Sequence, residues 1–183
     1  MNIPPLSLGT QTRRSPSITL TGTEARALAF LLPLSEDYPG IGGWFIDKVV
    51  PGLRCDSRFL LPIERQGELV GLGIAKKEAG ERKICTVRVA PSHVGRGIGV
   101  RLFDGLLKWL DDDHPHLTVS AAKLPLFERI FDYYSFDITS AHEGLYVPRA
   151  VELGYNEPLA IASTTPVTLS YANEPSSSEV RPT

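Results

Sequence analysis

Between residues 58 and 91 the chain reads "RFLLPIERQGELVGLGIAKKEAGERKICTVRVAP". Apolar stretches alternate there with two polar breaks, "RQGE" and "KEAGER", each carrying a glycine. Runs of this length, rich in branched residues and bounded by turn residues, predict three antiparallel strands in a meander. The period then changes. In "GVRLFDGLLKWLDD" the residues Val100, Phe103, Leu106, Leu107 and Leu110 recur at helical spacing, which predicts an amphipathic helix. Upstream, "SITLTG" reads as a short first strand and "TEARALAFLLPL" as a helix opening near Thr23 with Glu24 in its first turn. A second helix is expected in "IGGWFIDKVVPGL", with Trp44, Phe45, Val49 and Val50 at helical separations and Pro51-Gly52 ending it. Downstream, "HLTVSA" returns to strand, "LPLFERIFDYY" to helix, and "SFDITSAHEGLYVPR" supplies a last pair of strands. The order is β-α-α-β-β-β-α-β-α-β-β. A meander followed by strands alternating with helices places the chain in the α/β (more narrowly α+β) class, with helices packed on a mixed sheet.

Composition adds few surprises. The 183 residues, 42% apolar and 22% charged, suffice for one domain with a sizeable core. That domain is expected over residues 17–158, with a loose segment at 1–16 and a loose tail at 159–183, both rich in Pro, Ser and Thr. The formal net charge of -2 provides no global attraction for nucleic acid or an anionic membrane. No apolar run is long enough to span a bilayer and no secretory leader is legible, so a soluble protein is expected. Cys55 and Cys85 are the two cysteines. So few thiols, without a C-x-x-C pair, point to the reducing cytoplasm while leaving a disulfide between them open. No metal-ligand pattern is present.

The chemistry concentrates in "VRVAPSHVGRGIGVRLF", where Gly95, Gly97 and Gly99 sit at the junction of strand and helix. A helix start exposes unpaired N–H groups and a partial positive charge, and glycines let the backbone close around an anion. Arg96 and Arg101 add charge beside it. The spacing fits neither G-x-G-x-x-G after a first strand nor G-x-x-x-x-G-K-[ST], so the common dinucleotide and nucleoside-triphosphate loops are excluded.

The same string resembles the GCN5-related N-acetyltransferases (GNAT), at Val87, Val89, Pro91, Gly97 and Gly99. It departs at Val94, where that family has Arg or Gln. The element order from about residue 17 to 147 and the segment "LTVSAAKLPLFERIFDYYSFDIT" are similar as well. The resemblance implies a mixed, mostly antiparallel sheet with helices on both faces. Its fourth and fifth strands would splay, aided by a break at Ala90 and Pro91. It implies acetyl-CoA (coenzyme A) as cofactor. The backbone of Arg88 and Val89 would pair with pantetheine, and Val94, Gly95, Arg96, Gly97, Ile98 and Gly99 would hold the pyrophosphate. Phe131 falls where the family commonly places the tyrosine that protonates the leaving thiolate, and Phe cannot donate a proton.

Acyl transfer to an amine requires a base, a donor to the carbonyl and an acid for the thiolate. Tyr134 is the candidate acid, since i and i+3 share a helix face; Tyr146 is another, and Tyr133 points elsewhere. Glu81 and His93 are the candidate bases, although a turn residue and a solvent-exposed imidazole are the simpler readings of the two. Glu128 and Asp132 could orient a cationic acceptor, and Asp37, Tyr38 and Trp44 belong to the expected acceptor pocket. Cys85 reads as a small buried hydrophobe rather than an acyl-accepting thiol. The expected activity is direct acetyl transfer to a primary amine of a small molecule, peptide or protein. The competing expectation, favoured by Val94 and Phe131, is a CoA-binding or partner-binding module of the same fold that has lost efficient transfer. A tRNA-linked acceptor would need a basic face, for which Lys76, Lys77, Arg82 and Lys83 are the local cluster. A homodimer is compatible with this reading.

Overall fold

The structure is a computed structural model and describes residues 18–157. The segments expected to be loose, 1–16 and 159–183, and the outer limits of the 17–158 domain lie outside the described residues. Helix α1 (Gly22–Leu31) comes first. The expected opening strand is absent at Ile18–Leu20, and local chemistry explains why. Thr21 caps α1: its hydroxyl accepts from the Glu24 amide at 3.3 Å, and its own amide donates to the Glu24 carboxylate at 2.7 Å. This reciprocal capping box commits the Thr21 amide to the helix start.

Next comes a continuous helical stretch: α2 (Ile41–Trp44), a π-turn (Phe45–Val49) and α3 (Val50–Arg54). Pro51-Gly52 does not end it, contrary to expectation. A proline inside a helix lacks the amide for the ladder and crowds the turn behind it. The widened π-turn just before Pro51, with the Val50 amide reaching back to the Phe45 carbonyl, absorbs both defects.

The meander is as expected: β1 (Arg58–Arg65), β2 (Glu68–Glu78) and β3 (Glu81–Val89), joined by turns with Gly67 and Gly80 at positive φ. Helix α4 (Ile98–Leu110), β4 (His116–Ser120), α5 (Glu128–Tyr133), β5 (Ile138–Glu143) and β6 (Val151–Tyr155) follow. The last strand therefore lies beyond the expected "SFDITSAHEGLYVPR", at "VELGY". It inserts between β4 and β5, giving the order β1-β2-β3-β4-β6-β5, in which only β3 and β4 run parallel.

Helices cover both faces. On one, Ala27, Leu31, Ile41, Phe45, Val49 and Val50 pack over Leu72 and Ile74 of β2. On the other, α4 buries Ile98, Leu102, Phe103, Leu106, Leu107 and Leu110; Val100, expected on that face, is 36% exposed. Gly71 and Gly73 let α4 lie close to the sheet. A Cβ at Gly71 would stand 2.6 Å from Ile98 Cγ2, and one at Gly73 2.9 Å from Leu106 Cδ1. Arg54 ends α3 on the buried Glu24 carboxylate, donating through Nη1 and, at 2.9 Å, through Nη2.

Two outcomes follow. Gly71→Ala should force Ile98 and the start of α4 outward, lowering stability by about 1–3 kcal/mol in urea unfolding. The hydrogen-bonded Arg54 guanidinium holds the Glu24 carboxyl down at about 2, against an ordinary 4.5. Its folded value is depressed, so its contribution is present above pH 4.5 and lost as pH falls toward 2. Glu24→Gln should lower stability at neutral pH by roughly 2 kcal/mol and flatten that acid limb, measured as urea midpoints across pH.

Candidate active-site cleft

The two central strands barely touch. β3 and β4 pair only at Lys83–His116 and Ile84–Leu117. From Cys85 to Val89 the β4-facing edge of β3 has no strand partner among the described residues, and a cleft of about 720 Å³ opens there. The bulge that bends β3 lies at Cys85, where the register against β2 jumps from Ala75–Ile84 to Ile74–Thr86. It is not at Ala90 and Pro91: the Ala90 amide still donates to the Val70 carbonyl at 2.9 Å. A bulge adds local twist and turns a strand away from its neighbour. Burial raises the Cys85 thiol above its ordinary value, which suits the inert hydrophobe rather than a nucleophile.

Past β3 a 3-10 turn (Pro91–His93) leads into the glycine loop. Gly95 has φ +78° and Gly97 φ +74°, and a side chain at either would meet nothing within 4 Å. The loop is open. Among the described residues, none of the amides from Gly95 to Val100 has a protein acceptor, and Gly97 caps α4 without a side-chain bond. Val94 is 58% exposed at the cleft wall and Arg96 is exposed on the loop. Ile98 is buried against Gly71, leaving only its amide for the loop. Gly99 has a packing role too, since a Cβ there would stand 2.9 Å from Ile130 Cδ1 of α5.

The candidate catalytic residues are not brought together. Phe131 does line the cleft, 3% exposed, with its ring 4.6 Å from that of Tyr155. Tyr134 does not. Its hydroxyl donates to Asp104 Oδ1 at 2.6 Å, on the outer side of α4, and burial together with that carboxylate pushes its pKa up. At a helix C-terminus the chain has already unwound (Tyr134 has φ -90°, ψ 2°), so the helical spacing to Phe131 does not carry the hydroxyl into the cleft. Glu81 borders the cleft, but its ion pair with Lys76 lowers its pKa and makes it a poorer base. His93 sits outside the cleft lining, with Nδ1 3.0 Å from Ser92 Oγ. Glu128 and Asp132 are exposed and do not line it.

Around the expected acceptor residues Asp37, Tyr38 and Trp44, the structure adds Lys123, Arg58 and Phe30, which the sequence does not single out. Lys123, after β4, pairs with Asp37 in the α1–α2 connection. Tyr38 meets Tyr146 edge-on with ring centroids 5.4 Å apart. Burial, with the nearby Glu152 charge, pushes the Tyr38 phenol up to about 12. Arg58 lies over the Trp44 ring at 5.8 Å and Arg88 over Phe30 at 4.8 Å. Asp37 and Lys123 are 86 positions apart, so no local pattern announces their pairing.

This architecture has relatives. Residues 29–133 match the model of the acetyltransferase (GNAT) family. A GNAT-family acetyltransferase from Desulfovibrio desulfuricans superposes with a TM-score of 0.56 at 13% identity, over 73% of this chain and 88% of that one. An aminoglycoside 6'-N-acetyltransferase complexed with coenzyme A gives 0.54 at 15% identity, over 74% and 91%. A GNAT-family acetyltransferase from Streptococcus pneumoniae gives 0.54 at 14%, over 72% and 91%. A search of curated protein sequences finds no match. With the family model covering more than half of the chain and the splayed sheet in place, the chain belongs to the acetyltransferase (GNAT) family.

Proposed function

We propose that this acetyltransferase uses acetyl-CoA and transfers the acetyl group directly to a primary amine of a small molecule, peptide or protein. The observation that carries the cofactor reading is the row of amides without a protein acceptor, among the described residues, from Gly95 to Val100 at the start of a 13-residue helix, directly after Val94 at the cleft wall. These donors and the partial positive charge of the helix start fit a diphosphate. Positive φ at Gly95 and Gly97 keeps the cradle clear of side chains. Val94 contributes only its backbone. The open edge of β3 offers the peptide groups of Val87 and Val89 to the pantetheine amides, as an added strand would, whereas those of Arg88, opposite Leu72, turn to β2.

Acetyl-CoA supplies the activated thioester. The backbone N–H near Val89 would hold the thioester carbonyl and would stabilise negative charge on its oxygen. Phe131 excludes water from this region without giving a proton. The acid that meets the leaving thiolate is then a hydroxyl that lines the cleft, Tyr38 or Tyr146, or water, in place of Tyr134. With Glu81 held in an ion pair, proton removal from the amine proceeds through water or from an acceptor that binds already neutral. The second reading, a CoA-binding module with little transfer activity, is favoured by the Tyr134–Asp104 bond, which removes the expected acid from the cleft.

Coenzyme A at millimolar concentration should raise the melting temperature. Gly97→Glu should abolish that shift by setting a carboxylate against the diphosphate, while Gly97→Ala, which carries the same backbone strain without the charge, should retain part of it. The absence of any shift in the wild-type protein removes the cofactor reading. Tyr134→Phe should leave thiol release from acetyl-CoA with an amine panel unchanged and cost about 1 kcal/mol of stability through the lost bond to Asp104. Silence of the wild-type protein across that panel favours the module.

A further inference from the structure

One face of the meander carries a cluster of cations that the cofactor does not account for. Residues opposite one another on neighbouring strands point to the same side of a sheet. Arg88 pairs with Leu72, Thr86 with Ile74, Lys83 with Lys76 and Lys76 with Arg58. Leu72 and Ile74 belong to the layer under α1, α2 and α3, so these cations share that face. Val87 and Val89, which flank Arg88, pack instead with Ile98 and Leu102 of α4. The Arg88 side chain therefore leaves β3 on the face opposite the helix whose start bears the glycine loop.

Of the nearby carboxylates three are engaged, while the buried Glu152 beside Tyr38 has an Oε2 without a partner among the described residues and is pushed toward its neutral form by burial. Glu78 and Glu81 both pair with Lys76, and Asp37 pairs with Lys123. Among the described residues, Arg58, Lys83 and Arg88, all lining the cleft, have no carboxylate partner. Arg58 reaches only the Cys85 sulfur, at 3.5 Å. Arg88 is the sharper case: its Cζ lies over the Phe30 ring and, among the described residues, its buried Nη1 has no acceptor. A desolvated guanidinium donor without a partner costs more than a neutral one, and a carboxylate is the group whose two oxygens match its fork.

We propose that the Arg88 guanidinium is the specificity-determining residue of the acceptor side, seating the carboxylate of an acceptor that carries both an amine and a carboxylate, namely an amino acid or short peptide. This deepens the transferase reading and rests on it. Arg58 and Lys83 add a favourable field for the same anion, and the unpaired cations disfavour polycationic amines.

The test uses the full chain in three forms: wild type, Arg88→Gln and Arg88→Lys. Thermal shift with coenzyme A alone comes first and reports on the cofactor reading independently of the acceptor. The coenzyme-A-loaded proteins are then titrated calorimetrically with the standard amino acids, with Ala-Ala, with the C-terminal amides of each, and with spermidine. Wild type should bind at least one free acid tighter than its amide by roughly tenfold or more. Arg88→Gln should remove that ratio with the coenzyme A shift unchanged, and Arg88→Lys should restore it in part, because an ammonium keeps the charge without the fork. Equal affinity for acid and amide, preference for spermidine, no acid bound by the loaded wild-type protein, or a loss of the coenzyme A shift in Arg88→Gln would each overturn the proposal. Loss of that shift would instead place the guanidinium on the cofactor.

Discussion

Everything functional in this molecule follows from where two parallel strands stop pairing. β3 and β4 share two residue pairs and then part, although β3 continues through Val89. An unpaired strand edge inside a domain is costly, because each peptide group there has lost water without gaining a partner. The fold tolerates the gap because the bulge at Cys85 bends β3 while β2 still holds the strand to its end. The result is a wedge whose wall is unsatisfied backbone, and a ligand with amide groups can complete that wall as a missing strand would.

The rest of the structure aims this wedge. Gly71 and Gly73 remove the side chains that would hold α4 away from β2, so the helix start arrives at the mouth of the cleft with its amides free. On the other face, the capping box and the Arg54 contact fix α1 to α3, and the Asp37–Lys123 pair ties the α1–α2 connection across the opening. The two faces thus present different chemistry. Neutral N–H donors lie on the α4 side, where a diphosphate fits. Aromatic rings and unpaired guanidinium groups lie on the other, where an acceptor would enter.

Local electrostatics hold two of the titratable side chains around the cleft in pairs of their own. Tyr134 is drawn outward by Asp104, and Glu81 is drawn to Lys76. Each is held by a charged or hydrogen-bonding neighbour on its own side of the sheet. Phe131 takes the inner position and joins an aromatic cluster with Phe103, Phe127, Phe136 and Tyr155, which makes that end of the cleft dry. A dry wall strengthens any charge interaction made beside it.

The local pattern of residues was enough for the meander, its two glycine turns, helix α4 and the glycine loop before it, because turn chemistry, strand alternation and helical spacing are short-range properties. It also carried the family resemblance through Val87, Val89, Pro91, Gly97 and Gly99. It misread Thr21, whose amide goes to a helix cap, and Pro51, whose defect a π-turn absorbs. It placed the last strand too early, since "VELGY" becomes a strand only by inserting between β4 and β5. The position of the Tyr134 hydroxyl, the pairing of Asp37 with Lys123 and the solitary Arg88 guanidinium were decided by tertiary structure alone. A side chain's partner depends on which distant segment packs against it, and that is settled by how the layers close over the sheet.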